Sequence, residues 1–568
     1  MKFVPKLLSA LLMAQCAVTF AKGNADTIFY GGPIVTVNAK NEEVQALAVQ
    51  NGKIVAVGTK DAVTKEWQAD NTKVIDLKGQ TLMPGFVEPH VHVFVTTFFE
   101  RLGLNLSNFE LPYDTMDTLS QKLKAGLKNV PPGGWLFAFG VDPSRTSPFM
   151  AELTADDLDK VSKGVPIFVV NQSGHIAYVN HKAIELAGIT DKTPAPKGGG
   201  VYVKDAQGKL TGKLIEPPSY LAFMAKMPPP TEAQLSAGIN GMLNTIASTG
   251  VTTASEMSVG GNFGVDKEVA MWKEIFAKKA SPIRIRGYLW GEALPVGYSS
   301  IKPNDGDDHL RFIGIKYISD GSTQGLTAAL NAPYIYPKNS KWKGDLDYKD
   351  AEIYGLMKPF IDQGWQISIH SNGDKAIDQT LNNYAKALAG NPKPQDRRFR
   401  IEHFTINNEA QVKKAVKLGV VPSFTIGHVD YWGAAFNNHL IGPERSKRID
   451  PAGDFKRAGG KFTLHSDIPV SPVGPLTYIS EEVTRQWQLP PQKVLGPDQA
   501  VTVDDAIRAI TIDAAYQIFA DNIVGSLEVG KQADFVVLEK NPRQTAPADI
   551  RNIKVKGTWI DGKPVSLK

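Results

Sequence analysis

The feature that most constrains the fold is a series of eight short apolar runs, rich in β-branched residues and separated mostly by helical patterns. The runs occupy residues 85–93, 250–256, 283–290, 312–320, 365–370, 399–403, 420–426 and 462–467. Eight buried strands alternating with helices predict an α/β fold, a parallel (β/α)₈ TIM-like barrel. In such barrels the functional side chains collect where the strands end.

The alternation is interrupted once and is flanked by β-structure at both chain ends. Val93 and Gly250 are 157 positions apart, whereas a βα unit takes about 30 residues. We therefore expect a barrel over residues 81–521 with a lid subdomain, residues 96–245, inserted after strand one. Alternating apolar runs flank Asn51-Gly52 and Asp561-Gly562, pairs that are typical of tight hairpins. These hairpins predict a small β-sandwich built from residues 26–80 and 522–568.

The first 21 residues have the pattern of a cleavable signal peptide. A basic start precedes a short apolar run, and Thr19, Phe20 and Ala21 form a small-x-small cleavage motif. We expect a secreted or periplasmic protein without a membrane segment in its mature form. The only cysteine, Cys16, lies in this leader, so disulfides and cysteine-based sites are not expected in the mature chain.

The charge balance argues against nucleic acid as a partner. The chain has 63 basic and 58 acidic side chains, a formal charge of +5, and no basic stripe. We expect a small-molecule substrate instead. The sequence leaves both a monomer and a homo-oligomer open.

Five residues with metal-binding side chains lie at the predicted strand ends. His90 and His92 end the first strand, and the two-residue period of a strand points both imidazoles to the same face. His370, His403 and Asp467 end the fifth, sixth and eighth strands. Converging imidazoles and a carboxylate predict a site for a divalent metal above the barrel axis.

Lys316 lies inside the apolar fourth strand. An ammonium group that faces a packed barrel is unfavourable unless it is paired or chemically changed. One hypothesis is a carboxylated lysine that bridges two metal ions. The alternative is an outward-facing lysine whose charged end reaches solvent.

A set of motifs along nearly the whole mature chain resembles the amidohydrolase superfamily, in particular its family 3, which includes N-substituted formamide deformylases. The motifs are residues 84–92 (PGFVEPHVH), 174–180 (GHIAYVN), 210–212, 250–253, 320–322 (DGS), 373–374, 400–403 (RIEH), 466–467 and 525–534. The resemblance implies a metal-dependent hydrolase. We expect one or two Zn²⁺ ions per chain, two if Lys316 is carboxylated. Three segments depart from the usual family pattern: 88–89, 323–327 and 371–372.

The expected reaction is attack on a carbonyl group by water that the metal activates. Asp467 is expected to bind metal and also to act as the general acid-base, and His428 to hydrogen-bond the carbonyl oxygen. His175, Asn180 and Asp320 are expected to contact substrate. His465 faces inward beside Asp467 and is expected to support a ligand rather than to be one.

The function predicted from these residues is hydrolysis of a C–N bond in an amide, N-acyl or formamide-like compound. Two alternatives stay open: hydrolysis of an ester, lactone or organophosphate at the same site, and a non-catalytic periplasmic binding or regulatory protein on the same scaffold. Residues 525–531 resemble a phosphate-binding loop, but Gln532 replaces the required Ser or Thr.

Overall fold

The computed structural model describes residues 23–196, 200–278, 281–295 and 297–567. The predicted leader, residues 1–21, lies outside the described residues, and so does Cys16.

Each of the eight predicted runs forms a strand, and the strands pair side by side in parallel. The strands are Phe86–Val91, Val251–Val259, Arg284–Trp290, Leu310–Ile318, Gln366–Ser371, Arg400–His403, Val421–Thr425 and Thr463–His465. A parallel bridge between Val91 and Ile468 brings the first strand against the eighth, and the His92 N–H donates to the Ile468 carbonyl at 3.2 Å. The predicted TIM-like barrel is therefore confirmed.

Helices cover most of the barrel exterior. The main ones are Glu232–Ser248, Val265–Ala277, Asp350–Asp362, Asp374–Ala387, Glu409–Lys417, Pro475–Thr484, Val503–Ala509 and Ile512–Gln517. The first begins where Thr231 and Gln234 form a capping box. Strands three and four are joined instead by a segment with a short 3₁₀ turn, Gly291–Ala293.

Strands from the two ends of the chain pair in one mixed sheet of eight strands. They are Thr27–Val35, Glu43–Gln50, Lys53–Gly58, Lys73–Asp76, Thr81–Pro84, Phe535–Leu538, Val555–Ile560 and Lys563–Pro564. Both predicted hairpins are confirmed by antiparallel pairing across Asn51-Gly52 and Asp561-Gly562. Hydrogen bonding joins these strands into a single sheet, and strands from both chain ends share one apolar core. The β-sandwich stays a prediction. The sheet also includes Thr81–Pro84, which the predicted boundary had assigned to the barrel.

The segment between the first two barrel strands forms a sheet of its own. Its strands, in spatial order, are Val201–Lys204, Leu210–Ile215, Ile176–Val179, Ile167–Asn171, Leu136–Val141 and Leu104–Asn105. Helices Met116–Leu127, Ala155–Ser162 and His181–Ala187 accompany it, and it has a separate apolar core. The inserted unit ends before the predicted residue 245, because Leu235, Ile239 and Met242 of the helix Glu232–Ser248 belong to the main apolar core.

No helix among the described residues is both long and apolar enough to span a bilayer.

A buried ion pair joins the barrel to the terminal sheet. Arg284 of the third barrel strand donates to both carboxylate oxygens of Asp534, at 2.6 and 2.9 Å, and to Asp561 at 2.5 Å. The Arg284 side chain is fully buried. The alignment of the two units therefore depends on a guanidinium group that has no access to water.

We expect Asp534→Ala to lower the free energy of unfolding by about 3 kcal/mol, because it leaves the buried Arg284 guanidinium with only the partly exposed Asp561 as its ionic partner. Chemical denaturation measures this change. The control is Glu274→Ala, which removes an exposed ion pair with Lys278 and should leave the denaturation midpoint unchanged. Equal midpoints for the two variants would contradict this role of Arg284.

Candidate metal centre

Three predicted ligands meet at the mouth of the barrel. The Nε2 atoms of His90 and His92 lie 3.2 Å apart, as expected for imidazoles on the same face of one strand. Asp467 Oδ1 is 3.1 Å from His90 Nε2 and 3.2 Å from His92 Nε2. Asp467 has a φ of +58°, a left-handed conformation that is rare for residues other than glycine and is often found at functional sites.

Each of the two imidazoles carries its proton on Nδ1, the ring nitrogen that faces away from Asp467. His90 Nδ1 is 2.7 Å from Glu402 Oε2, a carboxylate that can only accept when ionised. His92 Nδ1 is 2.9 Å from Ser258 Oγ, and the Ser258 hydroxyl in turn donates to Glu256 at 3.0 Å. Both Nδ1 atoms therefore act as donors, and both Nε2 atoms present lone pairs.

This arrangement fits a divalent cation. Asp467 Oδ1 is a buried acceptor with no hydrogen-bond donor among the described residues. Two imidazole lone pairs converge on this oxygen without a proton to separate them, an arrangement that is repulsive unless a cation is bound. The donor set, two nitrogens and a carboxylate oxygen, is one that Zn²⁺ accepts.

His370 and His403 extend this cluster. Their ring centroids are 4.4 Å apart, and the His403 ring is 5.4 Å from that of His90. His403 Nε2 is 3.9 Å from Asp467 Oδ2. Burial lowers the pKa of both histidines well below the usual value and that of His92 to about 4. These three imidazoles are therefore neutral at pH 7, the form that binds metal.

Lys316 is buried in the fourth strand, with 1% of its surface exposed. Burial lowers its pKa, against the opposing effect of the Glu402 and Asp467 carboxylates. The snorkelling alternative does not fit a side chain without access to solvent. A neutral amine is the form that carboxylation requires, and burial favours that form here. The carboxylated lysine is therefore compatible with this position and stays a proposal.

Two predicted substrate residues are already used by the fold. The Asp320 carboxylate accepts from the backbone N–H groups of Asn372, Gly373 and Ala329 at 2.8–2.9 Å. The Asn180 side chain caps the helix His181–Ala187 and also bonds the backbone at Ile167 and Val165. Both side chains therefore have a structural role, and their contact with substrate stays a prediction.

The other predicted residues lie close to the cluster. The His175 ring is 5.1 Å from the His370 ring, and its Nδ1 is 2.7 Å from Glu216. Burial alone would lower the pKa of His175, but Glu216 outweighs it and raises the pKa to about 9.

His428 is linked to the cluster through hydrogen-bonding side chains, and His465 through a ring stack. His428 Nδ1 is 3.3 Å from Thr405 Oγ1, which donates to Asn372 at 2.7 Å. The His465 ring stacks on His90 with centroids 4.5 Å apart, in a supporting position beside a ligand.

The residue that the sequence analysis missed is Glu402. Arg400 donates to both of its carboxylate oxygens, at 2.8 and 2.9 Å, and Ser368 donates at 2.7 Å. Burial would raise the pKa of Glu402, but Arg400 and His90 hold it well below the usual value. The sequence does contain a signal for this residue: Arg400 and Glu402 are opposite charges two positions apart on a buried strand. Buried charges are unfavourable unless they pair or support a site.

Comparisons with known proteins identify the family of this chain. A model of the amidohydrolase family matches residues 73–566. An N-substituted formamide deformylase from Arthrobacter pascens is 26% identical over 94% of this chain and 97% of its own length. An exoenzymes regulatory protein from Pectobacterium carotovorum subsp. carotovorum is 30% identical over 69% of this chain and 83% of its own.

Among solved structures, an uncharacterized metal-dependent hydrolase from Pyrococcus horikoshii OT3 has the same fold. It aligns with a TM-score of 0.70 at 22% identity, over 92% of this chain and 99% of its own. The match of the family model across most of the sequence shows that this chain belongs to the amidohydrolase family of metal-dependent hydrolases.

Proposed function

We propose that this protein is an exported hydrolase that uses a bound Zn²⁺ centre to cleave the C–N bond of an amide, N-acyl or formamide-like small molecule. The observation that carries the proposal is the convergence of His90 Nε2, His92 Nε2 and Asp467 Oδ1 within 3.2 Å of one another. His370 and His403 complete the ligand set, and Lys316 joins it if it is carboxylated. The proposal of export rests on the leader pattern of residues 1–21.

When bound, a divalent cation polarises a carbonyl group and lowers the pKa of water to about 7. Asp467 is the group placed to take the proton of the attacking water, because its carboxylate borders His90, His92 and His403. It would return that proton to the departing atom. His428 has Nδ1 turned toward Thr405 and Asp450, so Nε2 is the ring atom left for the carbonyl oxygen of the substrate, and it would donate there only when the imidazole carries both protons.

Two points support a C–N bond over an ester. An amine leaves only after it gains a proton, and Asp467 is a proton carrier beside the reacting centre. The similarity to a formamide deformylase over nearly the full length of both chains agrees with this choice. The non-catalytic alternative gives no physical reason for neutral imidazoles and an ionised carboxylate to share one buried point.

The zinc-loaded protein should hydrolyse N-benzylformamide faster than benzyl formate, relative to the uncatalysed rate of each. These substrates share the formyl group and differ in the leaving atom. Chelation should abolish both reactions, and added Zn²⁺ should restore them. Activity on the ester alone would favour the alternative hydrolase, and no turnover of either compound with any metal would favour a binding or regulatory protein.

We expect Glu402→Gln to weaken zinc binding by about 10–100-fold, the range reported for groups that orient a metal ligand. An amide in place of the carboxylate can donate to His90 Nδ1, which moves the imidazole proton to Nε2 and removes the lone pair. Competition with a chromogenic chelator measures the dissociation constant. The control is Glu268→Gln, a buried carboxylate bonded to the backbone of Gly260, Asn262 and Phe263, which should bind zinc like the wild type. Equal affinities in the two variants would contradict the role of Glu402.

Elemental analysis of the purified protein should give two metal ions per chain, falling to one or none in Lys316→Ala, if carboxylated Lys316 bridges them. A single ion that the substitution leaves in place would show a mononuclear centre and a structural role for Lys316.

A further inference from the structure

A hairpin of the inserted unit lies across the mouth of the barrel. It consists of the strands Ile167–Asn171 and Ile176–Val179 and the turn 172–175 between them. At one side, the Gln172 amide donates to the carbonyls of Pro469 and Val470, at 2.7 and 3.0 Å, just beyond Asp467. At the other side, His175 reaches His370. The hairpin therefore contacts both sides of the metal centre.

His175 continues the row of imidazoles beyond the ligands. Ring centroids along the series His92, His90, His403, His370 and His175 are separated by 5.1, 5.4, 4.4 and 5.1 Å. Glu216 holds Nδ1 of His175, so only the Nε2 edge of this ring remains for a ligand.

Glu216 is itself fixed in place. Its backbone N–H donates to the His175 carbonyl at 2.8 Å, and its φ of +62° is rare for a residue with a side chain. Its carboxylate lies against Gly321, where an added Cβ would come within 2.7 Å of Glu216 Oε1. The Gly321 carbonyl in turn lies 3.1 Å from His370 Nε2. The pair His175–Glu216 is thus anchored to the same residue that orients His370.

The two sides of the centre differ in access. The side chains of His92 and Asp467 are 17% and 11% exposed, those of His370 and His403 are 7% and 4% exposed, and the His175 side chain beyond them is 10% exposed. A leaving amine with its substituent needs a route to solvent and a proton from Asp467, so it lies toward the more open side. The acyl group is then directed toward His370, where the His175 ring closes the space.

We propose that His175 forms the wall of the acyl pocket and restricts the substrate to a small acyl group, with Glu216 as the positioning residue that holds this wall. This proposal rests on the proposed function, because it assigns the two halves of a cleaved amide to the two sides of the centre.

The test uses the zinc-loaded full chain and four amides of benzylamine: formyl, acetyl, propionyl and benzoyl. The wild type should show kcat/KM falling as the acyl group grows. His175→Ala should raise the propionyl-to-formyl ratio of kcat/KM by about tenfold, the effect of space for a methylene or more in a binding pocket. Glu216→Gln should shift the ratio in the same direction but less, because the ring stays and loses only its anchor.

The matched controls come from a second His–carboxylate pair in the same inserted unit. His181 Nδ1 is also 2.7 Å from a carboxylate, that of Asp159, but this pair is exposed. His181→Ala and Asp159→Asn should leave the ratio unchanged, which separates a pocket effect from general damage to the insertion. Hydrolysis of all four amides without a size preference, or with the same ratio in His175→Ala, would overturn the inference while leaving the hydrolase intact. No hydrolysis by the wild type would instead overturn the proposed function.

Discussion

The candidate metal centre depends on one fully buried group beneath it, the charged pair Arg400–Glu402 and the His90 imidazole. Moving a guanidinium and a carboxylate out of water is unfavourable, and only close, multiple hydrogen bonds recover that loss. Here Arg400 uses two bonds on Glu402 and a third on the Pro89 carbonyl, at 2.8 Å, immediately before His90. The same guanidinium thus fixes both the backbone of the first strand and the carboxylate that fixes the imidazole.

A second acidic group organises the opposite wall of the barrel. Glu88 accepts from the Ser466 N–H at 3.1 Å and from the Tyr478 hydroxyl at 2.8 Å, and it is fully buried. Burial raises the pKa of Glu88 to about 8. Because Ser466 precedes Asp467, the first strand holds the eighth at the point where the carboxylate ligand leaves it. The unusual Glu at this position therefore has a structural role that joins the two edges of the barrel.

The sequence predicted what depends on local pattern, and it failed where long-range contacts decide. All eight barrel strands and the pairing of His90 with His92 follow from apolar runs and from the two-residue strand period. Asn180 and Asp320 lie in motifs that carry the family resemblance, but the sequence does not show that the Asn180 side chain caps a helix or that the Asp320 carboxylate bonds loop backbone. Glu402 and Glu216 were missed because each acts through a partner more than 40 positions away in the chain, His90 or His175. A sequence pattern identifies candidate ligands better than the groups that orient them.

The sheet built from both chain ends also has a consequence for folding. Thr81–Pro84 runs directly into the strand that carries His90 and His92, and its hydrogen-bonding neighbours are Thr27–Val35 and the distant Phe535–Leu538. During synthesis this strand keeps an open edge until Phe535–Leu538 has been made, and open edges readily pair with other chains. The closing of that edge has a high contact order and is intrinsically slow. The polypeptide thus secures the base of the strand that carries His90 and His92 only after all eight barrel strands have been synthesised.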